Sequence, residues 1–238
     1  HFRKQLRQPR GGFRVDFASQ PRTHPPTMPK TTLSKEETTA MLIQACDAII
    51  AAEPMLSEAD RNLGDGDHGL GMQRGMTAAK DKLTTTPPDS VVKAFSTVGM
   101  AMMSSMGGAS GAIFGTFFRN GGKALAGKDV LDAAGLAAFF QAGVDGVKQR
   151  GGAAVGDKTC VDAMEPAAQK AAEVASASLA DAITAIAAAT EAGKEASKAM
   201  VAKFGRAKTL GEACIGFPDA GACSVVVIVN AMRDYILA

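Results

Sequence analysis

After residue 30 the chain is a succession of helix-length apolar patterns with no pair of strand patterns among them, which restricts it to packing helix on helix. Eight such segments follow one another: the first opens at Ser34 and carries its apolar face through Ile50, and the others lie at about 69–82, 89–105, 112–125, 130–149, 159–175, 180–204 and 222–236. In the first, Leu42, Ala45, Cys46, Ile49 and Ile50 fall on one face, and Ser34 with Glu37 forms a capping box at its start. Pro87 and Pro88 break the chain after the second. The last contains Val225-Val226-Val227-Ile228-Val229, five β-branched residues that suit a buried strand. A lone strand is not stable and no partner is visible elsewhere, so this segment is assigned to a helix. Short connections make successive helices antiparallel neighbours. The expected fold is all-α: an eight-helix antiparallel up-and-down barrel or bundle, forming one domain over residues 31–238. Alanine is the best helix former, and an Ala-rich core without Trp suits closely packed helices.

The turns rich in Gly and Asp follow the first, third, fifth and seventh segments. In an up-and-down array these lie at one end, so they are expected to build a single site.

The first of them, DRNLGDGDHGLGMQRGM from Asp60 to Met76, brings together Asp60, Asp65 and Asp67 with His68 beside them. Carboxylates about 4 Å apart repel by about 1 kcal/mol per pair in water and about 4 at an effective dielectric near 20. A cation between them relieves that cost, and all-oxygen ligands favour a hard ion, Mg²⁺ or Ca²⁺. A solvated acidic turn is the alternative reading. An EF-hand opening at Asp65 would need Glu at its twelfth position, where Met76 stands. Gly64, Gly66 and Gly69 spell a dinucleotide fingerprint, but no strand pattern precedes them.

The second turn, SMGGASG, offers backbone N–H groups and leads into a helix, an arrangement that suits phosphate as well as a plain packing turn. It is not a Walker A loop, since no Gly-Lys-Ser/Thr follows. In the third, Asp157 suits a helix cap and Lys158 a charge partner. Arg206 and Asp219 stand in the fourth, either as site residues or as ordinary surface charges.

Residues 1–30 carry seven Lys/Arg and one Asp, and the remainder is mildly acidic, with 19 Lys/Arg against 23 Asp/Glu. The globular part therefore has no footprint for nucleic acid. The head, rich in Pro, Gly and Arg, is expected to be disordered: a tag, a leader or a fragment, its Arg-rich, acid-poor character also suiting an organelle transit peptide. No apolar run reaches 18 residues, so no membrane span is expected. Cys46, Cys160, Cys214 and Cys223 contain no C-x-x-C pair and read as reduced thiols of a cytoplasmic protein.

The runs GDGDHGLGMQRGM, SSMGGASGAIFGTFF, GVDGVKQRGGAAVGDKT, GRAKTLGE and GFPDAGACS together resemble the nucleotide-binding L subunit of dihydroxyacetone kinase, also found as the C-terminal domain of fused dihydroxyacetone kinases. The likeness covers nearly everything after Ser34 and leaves out the head. It implies a helical barrel with ADP or ATP at one rim, and two Mg²⁺ ions held by Asp60, Asp65 and Asp67. It implies nucleotide contacts from His68, Gly69, Leu70 and Gly71, from Ala109 and Ser110, and from Gly151, Cys160, Arg206, Asp219, Ala220 and Gly221. Gly71 stands where many relatives have Asn, Cys160 where Met is common and Ala220 where Pro is common. The resemblance further implies phosphoryl transfer to dihydroxyacetone or a related ketose held on a separate K subunit. Its partners would be that K subunit, a phosphotransferase-system phosphocarrier where bound ADP is rephosphorylated in place, and a second copy in a homodimer. A different role implied by some relatives is an ADP-loaded regulatory module that docks a transcription factor.

Overall fold

The computed structural model describes residues 30–238. The expectation of a disordered head lies outside the described residues except for Lys30, whose ammonium sits 4.3 Å from the centroid of the Tyr235 ring. Among the described residues there are nine α-helices: α1 (Lys35–Ala51), α2 (Glu53–Arg61), α3 (His68–Thr85), α4 (Val91–Ser105), α5 (Gly108–Lys123), α6 (Ala133–Gly151), α7 (Val161–Glu173), α8 (Leu179–Ala196) and α9 (Ala220–Leu237). Two 3₁₀ segments, Ser197–Ala199 and Arg206–Cys214, lie between α8 and α9.

The eight long helices pack each on the next, from α1 to α3 and on to α9, and α9 returns to α1 and closes the ring. The barrel is therefore the antiparallel array that the sequence pattern requires. The short α2 is an addition. Residues 53–61 carry Pro54 at the helix start, and α2 leaves α1 at a bend of 54° to lie against α3 and α9.

Side chains set most of the helix starts. The Ser34–Glu37 capping box is present in full, and Ser90, Asp132, Ser178 and Asp219 each accept a backbone N–H in the first turn of α4, α6, α8 and α9. Two boundaries differ most from the sequence pattern. Helix α5 begins at Gly108, inside the glycine-rich run, because Gly111 and Gly115 face α4 and its end closely. A Cβ on Gly115 would lie 2.1 Å from Met103 Cγ and 2.8 Å from the Gly99 carbonyl oxygen, so these glycines are helical packing positions. Helix α8 stops at Ala196, well short of Phe204: the Ser197 hydroxyl turns back to the Lys194 carbonyl at 2.6 Å and accepts the Asp219 N–H at 3.0 Å.

The valine-rich run is helical. Val225, Val226, Ile228 and Val229 are buried where α9 packs between α1 and α8, so packing overrides their strand preference. Helix α9 has the length and composition of a membrane span, with a mean hydropathy of 1.4, but 61 % of it is buried inside the barrel, as expected of a core helix. The core continues through an aromatic cluster of Phe95, Phe117, Phe118, Phe139 and Phe140 on α4, α5 and α6. All four cysteines are free thiols.

Candidate functional site

A cavity of about 410 Å³ opens at one end of the barrel, lined by the α2–α3 turn, the start of α5, the α6–α7 turn and the α8–α9 connection. These are the four Gly- and Asp-rich turns of the sequence, brought to one place by the alternating direction of the helices.

The acidic turn forms its floor on one side. Asp60 stands in the last turn of α2, Asp65 lies in the turn and Asp67 precedes α3. One carboxylate oxygen from each lies within 4.8 Å of the others, with Asp60 half-buried and the other two exposed. Asp60 also accepts the His68 N–H at 3.2 Å, and its carbonyl accepts the N–H groups of Leu63 and Gly64, which fixes the turn. Three hard oxygens converging beside open space fit a Mg²⁺-type ion by ligand chemistry. Arg206 reaches over to pair with Asp65 at 2.8 Å.

His68 is buried between helices. Its Nε2 lies 2.8 Å from the Ser224 hydroxyl on α9 and its Nδ1 3.5 Å from the Ser110 hydroxyl on α5. Burial pulls its pKa below the usual value, against the opposing effect of Asp60 and Asp67, so the ring is neutral at pH 7. It ties the acidic turn to the glycine turn opposite. That turn enters α5 through Gly107 and Gly108, at φ of +73° and +62°. Side chains rarely adopt this backbone, and a Cβ at either would touch nothing within 4 Å. The amides at the start of α5 have no helical acceptor of their own.

The far wall is held by charge. Asp219 caps α9 through the Ala222 N–H at 2.8 Å. Burial pushes its carboxyl up to about 7, against that hydrogen bond, with Asp162 adding to the rise. Lys158 is buried in a left-handed conformation at φ +58°, and its ammonium donates to the carbonyls of Ser197 and Phe217, each at 2.6 Å. Burial lowers its pKa. Asp157 does not cap α7; it accepts the Ala154 N–H and the Lys203 ammonium, while Asp162 takes the N–H groups of Gly156 and Thr159. The turn is wound around the later carboxylate because Asp162 sits inside the first turn of α7 and reaches back.

Of the residues the sequence singled out, Asp60, Asp65, Asp67, His68, Gly71, Ala109, Ser110, Cys160, Arg206, Asp219, Ala220 and Gly221 line this cavity. Gly69, Leu70 and Gly151 do not. Gly69 packs α3 on α2, where a Cβ would lie 2.4 Å from Ser57 Oγ, and Leu70 is exposed. Gly151 stands behind Ile113, which lines the cavity. Burial pushes the Cys160 thiol up, so it is not a reactive thiolate. Sequence reasoning missed Arg74, Met106, Ile113 and Phe204. For Arg74 a signal exists: it stands seven residues after Asp67, on the same face of α3.

The DAK2 domain matches residues 62–234. The chain is 38 % identical over 178 residues to the PEP-dependent dihydroxyacetone kinase 1, ADP-binding subunit DhaL of Listeria innocua, covering 75 % of this chain and 85 % of that protein. It is 34 % identical to the PEP-dependent dihydroxyacetone kinase, ADP-binding subunit DhaL of Escherichia coli, covering 84 % of this chain and 96 % of that one. The crystal structure of the dihydroxyacetone kinase from C. freundii in complex with AMP-PNP and Mg²⁺ superposes with a TM-score of 0.67 at 21 % identity, over 96 % of this chain and 38 % of that longer one, a likeness of fold. With most of its length matched by the domain and by full-length relatives, the chain belongs to the DAK2 domain family, that of the dihydroxyacetone kinase L subunits its motifs resemble.

Proposed function

We propose that residues 31–238 form a single domain that binds a Mg²⁺ nucleotide, ADP or ATP, and serves as the nucleotide subunit of a dihydroxyacetone kinase. The ketose would be dihydroxyacetone or a close relative, held on a separate K subunit. The observation that carries this reading is the convergence of the Asp60, Asp65 and Asp67 carboxylates at a cavity whose opposite wall is the Gly107–Gly108 entry to α5. It gains support from family membership, since similar proteins are named as ADP-binding subunits.

In this reading the three aspartates hold Mg²⁺, two ions by the resemblance, and the metal supplies charge neutralisation for the phosphates. The remaining work falls to the chain. Free amides at the start of α5, with Ala109 and Ser110, orient the phosphates. Neutral His68, held by two hydroxyls, keeps the two phosphate-facing turns in register and moves no proton itself. Lys158 fixes the wall formed by Asp219, Ala220 and Gly221 by holding the Phe217 carbonyl two residues before it. Phosphoryl transfer needs positioning and electrostatics more than covalent help from the protein, and this inventory suits it.

The relatives named PEP-dependent favour a phosphocarrier that recharges bound ADP over free ATP as the donor. Four unpaired thiols suit a cytoplasmic setting. The test is in two steps. Mass spectrometry of nucleotide released after dialysis should find ADP, and a coupled assay with a phosphorylated carrier should give turnover of dihydroxyacetone only when a K subunit is added. Positioning of the ketose by that subunit is worth about 7–11 kcal/mol of barrier. Turnover by this chain alone would overturn the two-subunit reading, and absence of Mg²⁺–ADP binding by calorimetry would overturn the nucleotide site.

A further inference from the structure

Three cations line the cavity together with its carboxylates: Arg74, Lys158 and Arg206. Two are committed to protein groups. Arg206 pairs with Asp65, and the buried Lys158 ammonium spends two of its three N–H groups on backbone carbonyls. Arg74 differs. One guanidinium nitrogen donates to the Met106 carbonyl at 3.0 Å, and among the described residues no carboxylate forms an ion pair with it. A guanidinium has five N–H donors in a planar fork, so most of its donors stay available beside the cavity.

Its placement is specific. Met106 is the residue immediately before Gly107 and Gly108, so the arginine is anchored at the entry of the glycine turn. Asp67 at the cap of α3, with Gly71 and Arg74 on the helix, stand at i, i+4 and i+7, and all three line the cavity. The helical rise separates Asp67 from Arg74 by about 10 Å along the axis, roughly the reach of a chain of phosphates and its metal. Between them the face is clear: a Cβ at Gly71 would have its nearest neighbour, Met106 Cε, at 4.0 Å. Gly71 thus leaves the path from the acidic cluster to the guanidinium open.

We infer that Arg74 is an anion-binding residue of this site: its free N–H groups take the terminal phosphate oxygens of the nucleotide, while its bond to Met106 holds the glycine turn in place. The inference rests on the nucleotide reading given above. Its direct part is separable from a purely structural clamp, because a clamp would alter the affinity of every nucleotide alike, whereas a phosphate ligand discriminates by phosphate number.

The experiment is calorimetry of the full chain with Mg²⁺ and AMP, ADP or AMP-PNP, for the native protein, Arg74→Gln and Arg74→Lys, with melting curves as a check on folding. The expected result for Arg74→Gln is a loss of about tenfold to a hundredfold in affinity for AMP-PNP, the range of a charge-assisted hydrogen bond, with AMP affected by no more than a few fold. Arg74→Lys, which keeps the charge but not the fork, should recover part of the AMP-PNP affinity. Should Arg74→Gln melt early, the AMP-PNP to AMP ratio is read from Arg74→Lys instead. Equal losses across the three nucleotides, or no loss at all, would overturn the inference while leaving the nucleotide site standing. Failure of the native protein to bind any of the three would overturn that site, and the inference with it.

Discussion

Glycine does opposite things in the wall of the barrel and at its rim. Between α5 and α6 the packing is reciprocal: Gly121 of α5 meets Phe139 of α6, and Gly143 of α6 meets Phe117 of α5. A Cβ at Gly121 would lie 2.5 Å from Phe139 Cδ2 and 2.7 Å from the Phe139 carbonyl oxygen. There glycine is required because there is no room. At Gly107 and Gly108 nothing lies within 4 Å of a would-be Cβ, and glycine is required because φ is positive. The wall is defined by contact and the rim by backbone conformation and charge. Stability should therefore reside in the first and ligand binding in the second, and substitutions should separate them.

The largest effect is expected at the rim. Asp65→Ala removes one of three converging carboxylates and should lower Mg²⁺–nucleotide affinity by about a hundredfold or more, since even partners one layer away from a metal are worth 10–100-fold. Its melting temperature should barely change. Asp65 is exposed, and an ion pair such as that with Arg206, itself 71 % exposed, contributes about 0–1 kcal/mol. Calorimetry and a melting curve on the same sample decide it. Undiminished affinity would remove Asp65 from the site, and a large drop in stability would erase the separation of wall from rim.

Gly121→Ala is the converse. The added methyl collides with both a ring and a backbone oxygen, so α5 and α6 must move apart at a cost of about 1–3 kcal/mol. For a domain of this size each kcal/mol lowers the melting temperature by about 2–4 °C. Nucleotide affinity of the folded fraction should stay within a few fold, because Gly121 lies near the end of α5 remote from Gly108. An unchanged melting temperature would show that the wall can relax, and that its glycines are there for some reason other than close contact.

The same contrast explains what could be read before the structure. Apolar periodicity and Gly/Asp punctuation give the antiparallel barrel, because each helix buries a face set by its own residues. The odd-numbered turns fall at one end by topology, so their meeting around one cavity follows from counting. Helix α2 escaped notice because nine residues offer too short a period to stand out from a turn. The true ends of α5 and α8 depend on a glycine face meeting α4 and on Ser197 meeting Asp219, both contacts with distant parts of the chain. Arg74 was hidden for the same reason, since what sets it apart is a carbonyl 32 residues away; Lys158 reads from the sequence as a charge partner, but its ammonium is held by carbonyls 39 and 59 residues away.

The smallest effect tests whether the rim is electrostatically costly even at rest. Burial pushes the Asp219 carboxyl from its ordinary 3.8 up to about 7, in spite of the Ala222 N–H that favours its charged form. Between those two values the folded chain holds a proton that the unfolded chain has released. Linkage then requires stability to fall as pH rises through that window, and to lose no more from this group above about 7, where both states are ionised. Asn in its place cannot ionise, yet its side-chain oxygen can still accept the Ala222 N–H and cap α9. In nucleotide-free protein, the stability of the native chain minus that of Asp219→Asn should thus decline from about pH 4 to pH 7 and then level off. Melting temperatures taken at half-unit steps give that difference directly, with the opposite slopes of ordinary paired carboxylates cancelling between the two proteins. Parallel curves would mean that the carboxyl ionises freely beside the cavity, and that the rim imposes no electrostatic cost through Asp219 which the wall of the barrel lacks.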